Sequence, residues 1–373
     1  MLCLHFVSQS RSDQAVNLDT PRLDYSGTEP ALLLEPQRTN LVTNSENYEA
    51  NSWEKLNVDI TPNNILSPSG KTDGLLLQDN ATSGFHRLRT DSITSAGDYT
   101  FSLYAKAGTS DKILLYGYLG GGGIGFDLTN KTNFTVPGIS SSGVNYGFGE
   151  TLNGWTRIWI QVTYSANNPF AIFMVNQDGD AVSYSGNGDS IYIYGAQVEQ
   201  GSYATSYIPT NGQTETRLAD VCQGGGDASV FNDSEGTLYM EFSTQQDVAA
   251  AFVTISDGSI TNRVGLFNQN GIELRSNIRL NSAQYNNLSG VNISDGDFHK
   301  VAVKYDGSNI KLFLDGQLKD TDPYSGTFTA PLSTIEFFQG DATNSHFNGK
   351  VRALHYFSEA LTDTELQQLT SNT

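Results

Sequence analysis

Cysteine is nearly absent from this sequence, with only Cys3 and Cys222 in 373 residues. Neither has metal-ligand spacing, and an extracellular disulfide framework would carry more, so the expectation is two free thiols in a chain folded in a reducing cytoplasm. Charge is scarce too, at 16%, and lopsided: 21 Lys+Arg against 40 Asp+Glu leave a net charge of −19. So acidic a surface repels a phosphate backbone and anionic membranes, which argues against nucleic acid as a partner. No apolar run approaches a membrane span, so membrane insertion is not expected. The opening residues 1–7 are apolar but too short for a signal peptide and lack a basic n-region. Export would then need another route, such as assembly into a particle released by lysis.

What the chain has in quantity is β-structure chemistry. It carries 18 Tyr, 19 Phe and 37 Gly, a mixture of ring-bearing and turn-forming residues typical of antiparallel sheets. The length suits two domains. Residues 99–106 alternate with Phe101, Leu103 and Ala105 on one face, and residues 155–164 alternate with Ile158, Ile160 and Val162 as the apolar file. Segments 170–175 and 190–194 are apolar on both faces, which predicts central strands. The glycine run 120–123 and the stretches 178–180 and 185–189 read as turns. A second series of strands begins after Gly226, with tight-turn signals at Asp306-Gly307 and Asp315-Gly316. Helix is expected only at the end, where Thr362 can cap 363–369 with Glu365 completing a capping box. The fold class is therefore all-β, two tandem β-sandwich (jelly-roll) domains with a short C-terminal helix. The expected division is a tail or attachment segment at 1–19, a first sandwich at 20–211, a linker at 212–228 and a second sandwich at 229–373.

Two stretches carry family resemblance. Asp295-Gly296-Asp297-Phe298-His299-Lys300-Val301-Ala302-Val303-Lys304-Tyr305-Asp306-Gly307, followed by Lys311-Leu312-Phe313-Leu314-Asp315-Gly316, resembles the concanavalin A-like, laminin-G-type jelly rolls. The closing signature from Phe347-Asn348-Gly349 to Leu361-Thr362-Asp363 fits as well, with Phe298 standing where that family usually has Trp. The first half is similar to the galactose-binding-like carbohydrate modules of phage tail and virion proteins. That similarity is carried by Ala31-Leu32-Leu33-Leu34-Glu35-Pro36-Gln37-Arg38-Thr39-Asn40-Leu41, the stretch 99–108, Asn153-Gly154-Trp155-Thr156-Arg157, Tyr194-Gly195-Ala196-Gln197-Val198-Glu199, Thr205-Ser206-Tyr207-Ile208-Pro209-Thr210 and Thr216-Arg217-Leu218-Ala219-Asp220. Together these resemblances imply a bacteriophage virion appendage, a tail or capsid fibre or decoration protein. It would be non-enzymatic, folded in the host cytoplasm, mounted on the particle surface as a homotrimer among other virion proteins, and would bind host-surface glycans or stabilise the particle. The alternatives are a polysaccharide-degrading tail spike and a secreted carbohydrate-binding adhesin.

Chemistry narrows this further. A retaining glucanase needs two carboxylates on one strand face about 5 Å apart, and no Glu-x-Asp-x-Glu strand occurs; a Gln-x-His lyase strand is also missing. The five histidines are scattered, and His299 reads as a strand residue. Asp178, Asp180 and Asp189 offer loop oxygens for calcium, the one cofactor worth considering, with plain turns as the alternative. Sugar binding needs rings on a sheet face with amides or charges beside them. If Ile158, Ile160 and Val162 point inward, Trp155, Arg157, Trp159 and Gln161 point outward by the period of two. Tyr104 and Lys106 join them by the same logic, with Tyr116 and Tyr118 on one side of their own strand. Burial of Trp155 and Trp159 under a loop is the competing reading.

Overall fold

The computed structural model describes residues 2–3, 21–25, 27, 29–63, 65–90, 95–118, 121–165, 168–244, 250–269, 273–281, 283–293, 296–338 and 346–372. The expected attachment segment, apart from Leu2 and Cys3, and the turn residue Gly120 lie outside these. Strands dominate, and the α-helix Asp363–Leu369 follows the second set of sheets. The chain forms two units: one takes the described residues up to Pro36 and from Ala219 onward, the other those from Gln37 to Leu218.

The 37–218 unit packs two six-stranded sheets. One runs in the order Asn145–Leu152, Trp155–Tyr164, Gly97–Ala107, Ser190–Gln200, Leu75–Asp79, Val58–Pro62; the other in the order Thr132–Phe134, Gly122–Asp127, Lys112–Gly117, Phe170–Met174, Arg87–Thr90, Trp53–Leu56. The strands Phe170–Met174 and Ser190–Gln200 are interior, as expected from runs apolar on both faces. Phe101, Leu103, Ile158, Ile160 and Val162 from the first sheet meet Ile113, Leu115, Phe170 and Ile172 from the second in one core. Asn153 (φ 53°) and Gly154 (φ 80°) make a two-residue hairpin between the first two strands. Both residues adopt the left-handed region that such a turn demands, and the turn sets Leu152 opposite Trp155.

The other unit packs a larger sheet against a five-stranded one, ordered Ala283–Asn292, Glu273–Leu280, Asn262–Gln269, Ala250–Ser256, Thr334–Glu336. In the larger sheet Gly236–Ser243 and His299–Tyr305 are central, and the Asp315-Gly316 turn (φ 49° and 77°) joins Asn309–Leu314 to Gln317–Pro323. His299 Nδ1 lies 2.8 Å from Asp315 Oδ2, and Asp315 Oδ1 accepts the Lys300 N–H at 3.0 Å. The signature histidine thus ties the hairpin turn to its neighbouring strand. Thr362 caps the helix in the full capping box expected.

The boundary differs from the expected one. Ala31–Leu34 pairs with Gly349–Phe357, Leu32 and Leu34 enter the core of the second unit, and Leu2–Cys3 pairs with the same strand. The sheet that takes residues 21–36 is built mainly from the far end of the chain. Arg22 locks this segment by hydrogen bonds to Glu35 and Asp220. Glu215–Arg217, expected as linker, is a strand paired with Arg38–Asn40. Among the described residues no helix is long and apolar enough to cross a membrane.

Candidate functional site

The strand Trp155–Tyr164 sends Ile158, Ile160 and Val162 into the core, so Trp155, Arg157, Trp159 and Gln161 occupy the outer face of the sheet. Antiparallel register places Thr100 beside Gln161, Ser102 beside Trp159 and Tyr104 beside Arg157. Beyond them Glu199, Gln197 and Tyr194 continue the same rows. The outer face is therefore a grid of polar and aromatic side chains fixed by backbone pairing.

Most of this grid is not open. Trp155 is 0% exposed; its Nε1 donates to the Leu66 carbonyl at 2.8 Å, so the loop after the strand Val58–Pro62 closes over the indole. Gly74 is required beneath it, since a Cβ there would stand 2.8 Å from the indole and 2.5 Å from Ile65. Tyr104 is also fully buried, in an aromatic cluster with Trp155, Tyr194 and Tyr207. Arg157 donates to Ser102 Oγ at 2.9 Å and lies 5.7 Å from the Tyr104 ring centre. Gln161 is 6% exposed and accepts from Asn145 at 2.6 Å. For Trp155, Tyr104, Arg157 and Gln161 the expected outward direction is found, whereas the expected bare surface is not. Large rings on a sheet face lower the free energy by burial, and the chain supplies loops to cover them.

Trp159 is the exception among the outward residues of this strand, half-buried rather than closed off. The edge strand opposite it carries Gly147, where a Cβ would stand 2.9 Å from the indole, and Gly149 follows against Arg157. At these two positions the edge strand adds no side chain to the face. On its own strand Arg157 and Gln161 flank the indole, and Ser102 lies across the ladder. Half-buried Lys106 and Tyr192 stand at the Trp155 end, Tyr192 with its ring centre 6.2 Å from that of Trp155, and half-buried Glu150 accepts the Tyr104 hydroxyl. Further along, Tyr194 donates to Glu46 at 2.8 Å and Tyr207 to the same oxygen at 3.2 Å. Burial, reinforced by Glu46, pushes both phenols well above their ordinary pKa, so they remain hydrogen-bond donors. Glu46, on a loop, and Glu150, on the edge strand Asn145–Leu152, meet Tyr194, Tyr207 and Tyr104 only through tertiary contact.

Tyr116 and Tyr118 do not belong to this face. They lie on the outer side of the opposite sheet, packed with Phe173. Asp178, Asp180 and Asp189 do not converge either. Asp180 accepts from Asn176 at 2.8 Å and Asp189 from Gln177 at 3.0 Å. Among the described residues no group of three or more His, Cys, Asp or Glu is placed to hold a metal ion. Short-range hydrogen bonds have turned these Asx-Gly stretches into turns.

Residues 226–367 match the family model described as the concanavalin A-like lectin/glucanases superfamily. The C-terminal unit thus has a concanavalin A-like, laminin-G-type fold, and the class defined is an all-β protein of sandwich domains. Solved structures similar to this chain include the CBM40 domain of the Ruminococcus gnavus IT-sialidase bound to α2,3-sialyllactose. It is 19% identical, with 40% of this chain and 94% of that one covered and a TM-score of 0.33. Domain 4 of an extracellular arabinanase from Geobacillus stearothermophilus, in complex with arabinotriose, is 18% identical over 46% of this chain and 83% of that one, with a TM-score of 0.33. Domains LG4-5 of the mouse laminin α1 chain are 14% identical over 82% and 96%, with a TM-score of 0.29. No curated protein matches the chain.

Proposed function

We infer that this protein binds carbohydrate non-covalently, as a lectin does, and does not turn it over. The observation that carries the reading is the half-open indole of Trp159. It is held on a rigid strand, with Gly147 across the ladder on one side and Ser102 on the other, and is flanked along its own strand by Arg157 and Gln161. A ring with hydrogen-bonding groups beside it offers a sugar both a surface for its C–H face and partners for its hydroxyls. The match of residues 226–367 to a superfamily that includes lectins adds support from the other unit. The motifs of the first half favour a bacteriophage virion appendage adsorbing to host-surface glycans as a homotrimer. A secreted carbohydrate-binding adhesin is the second reading, favoured by that superfamily match, which has no tie to phage particles.

The test is Trp159→Ala, read on a glycan array beside thermal unfolding. Binding at this face should fall at least about tenfold, the scale of one lost ring contact, while the protein stays folded. A wild-type protein that binds no glycan, or releases oligosaccharides from polysaccharide, would retire the reading.

A further inference from the structure

The first sandwich has a second outer face, and its chemistry differs from that around Trp159. On the strand Arg87–Thr90 the outward residues are Arg87 and Arg89, since Leu88 faces the core. Phe85 precedes them by two residues, 45% exposed, with its ring edge-on to Phe173 at 6.0 Å. Phe173 lies directly opposite Arg87 across the ladder. Tyr118 and Tyr116 extend the aromatic surface at a centroid distance of 4.9 Å. Both guanidiniums lie against Tyr118, 5.8 Å and 5.6 Å from its ring centre. The neighbouring edge strand contributes Glu54, which accepts from Arg87 at 2.7 Å and also from Arg89. Its carboxylate nevertheless keeps 44% of its side-chain surface exposed, and Arg89 keeps 34%.

We propose that this strip, Phe85 with the Glu54–Arg87–Arg89 group, is a second and independent binding site for a neutral oligosaccharide. The proposal rests on the carbohydrate reading of the protein. From Phe85 to Arg89 the strip runs roughly 13 Å at about 3.3 Å per residue, the length of a short sugar chain. Phe85 supplies the surface for a sugar's C–H face. Glu54 accepts from one hydroxyl while Arg89 donates to its neighbour, so a vicinal diol meets an acceptor and a donor side by side. Charge selects against acidic sugars. The two arginines already share one carboxylate, which a ligand carboxylate would have to displace, and it would do so in the field of a chain of net charge −19.

The experiment uses the full chain on an array of neutral and uronate- or sialate-bearing oligosaccharides, with calorimetric stoichiometry for the best neutral ligand. Trp159→Ala should retain neutral-glycan binding, and adding Phe85→Ala should weaken what remains by about tenfold or more. Glu54→Gln, nearly isosteric, should weaken it likewise without a change in melting temperature. Loss of all neutral binding in Trp159→Ala alone would remove the second site and leave the first standing. No binding by the wild type would remove both. Retention of acidic glycans only would overturn the ligand class. A fall in oligomeric state on Phe85→Ala, read by light scattering, would show that the face is covered by a second copy of the chain and would also overturn the proposal.

Discussion

Trp155 and Trp159 stand four residues apart on one strand and on the same side of one sheet, yet one is sealed and the other half-open. What separates them is what lies across from each. Trp155 sits at the hairpin end, where the Leu66 carbonyl takes its Nε1 proton and Gly74 makes room for the ring. Trp159 faces the glycine-bearing edge strand, where its partner across the ladder, Gly147, carries no side chain. A period-two pattern assigns a side of the sheet to each residue. Whether that side is surface or interior is settled by the loops that fold back onto it. The same tryptophan chemistry therefore serves stability at one end of the strand and, in the function proposed, recognition at the other.

The contrast can be broken most forcefully at the sealed end. Trp155→Ala should cost about 3–5 kcal/mol, the usual penalty for emptying a fully buried large ring, and denaturant unfolding will read it. Gly74→Ala should cost about 1–3 kcal/mol by overpacking, because the new methyl has the indole and Ile65 within 3 Å. If either variant unfolds like the wild type, Trp155 is not the anchor described. At the open end, Gly147→Ala should cost about 1 kcal/mol, the low end of overpacking, because the indole can swing away. It should still weaken glycan binding, since that swing spoils the platform. Unchanged binding would show that the position of the Trp159 ring does not matter.

The tyrosines between the two ends give a smaller, pH-dependent effect. Their folded pKa lies above the unfolded phenol value of about 10, chiefly through burial. The neutral form is thus favoured by folding. The stability linked to it is complete below pH 10 and declines as pH rises towards the folded pKa. Tyr207→Phe should flatten part of that decline in melts recorded between pH 9 and 11, and an unaltered slope would assign the titration elsewhere.

Much of this molecule was written locally. Alternation along 99–106 and 155–164, the Asp315-Gly316 turn and the Thr362 cap all act over a few residues, so the sequence alone determined the all-β class, the inward files and the terminal helix. The outward direction of Trp155, Arg157, Trp159 and Gln161 was legible for the same reason. The alternation of Phe85, Arg87 and Arg89 could have revealed the second strip, but without their sheet partners nothing marked them out. Only the tertiary structure could decide which rings are covered, that residues 21–36 complete the sheet of the far unit, that Tyr116 and Tyr118 lie on the opposite face, and that Glu46, Glu54 and Glu150 join side chains from other strands. Those are contacts between residues distant in the chain. Backbone periodicity fixes which way a side chain points, but what it meets there depends on how separate segments pack.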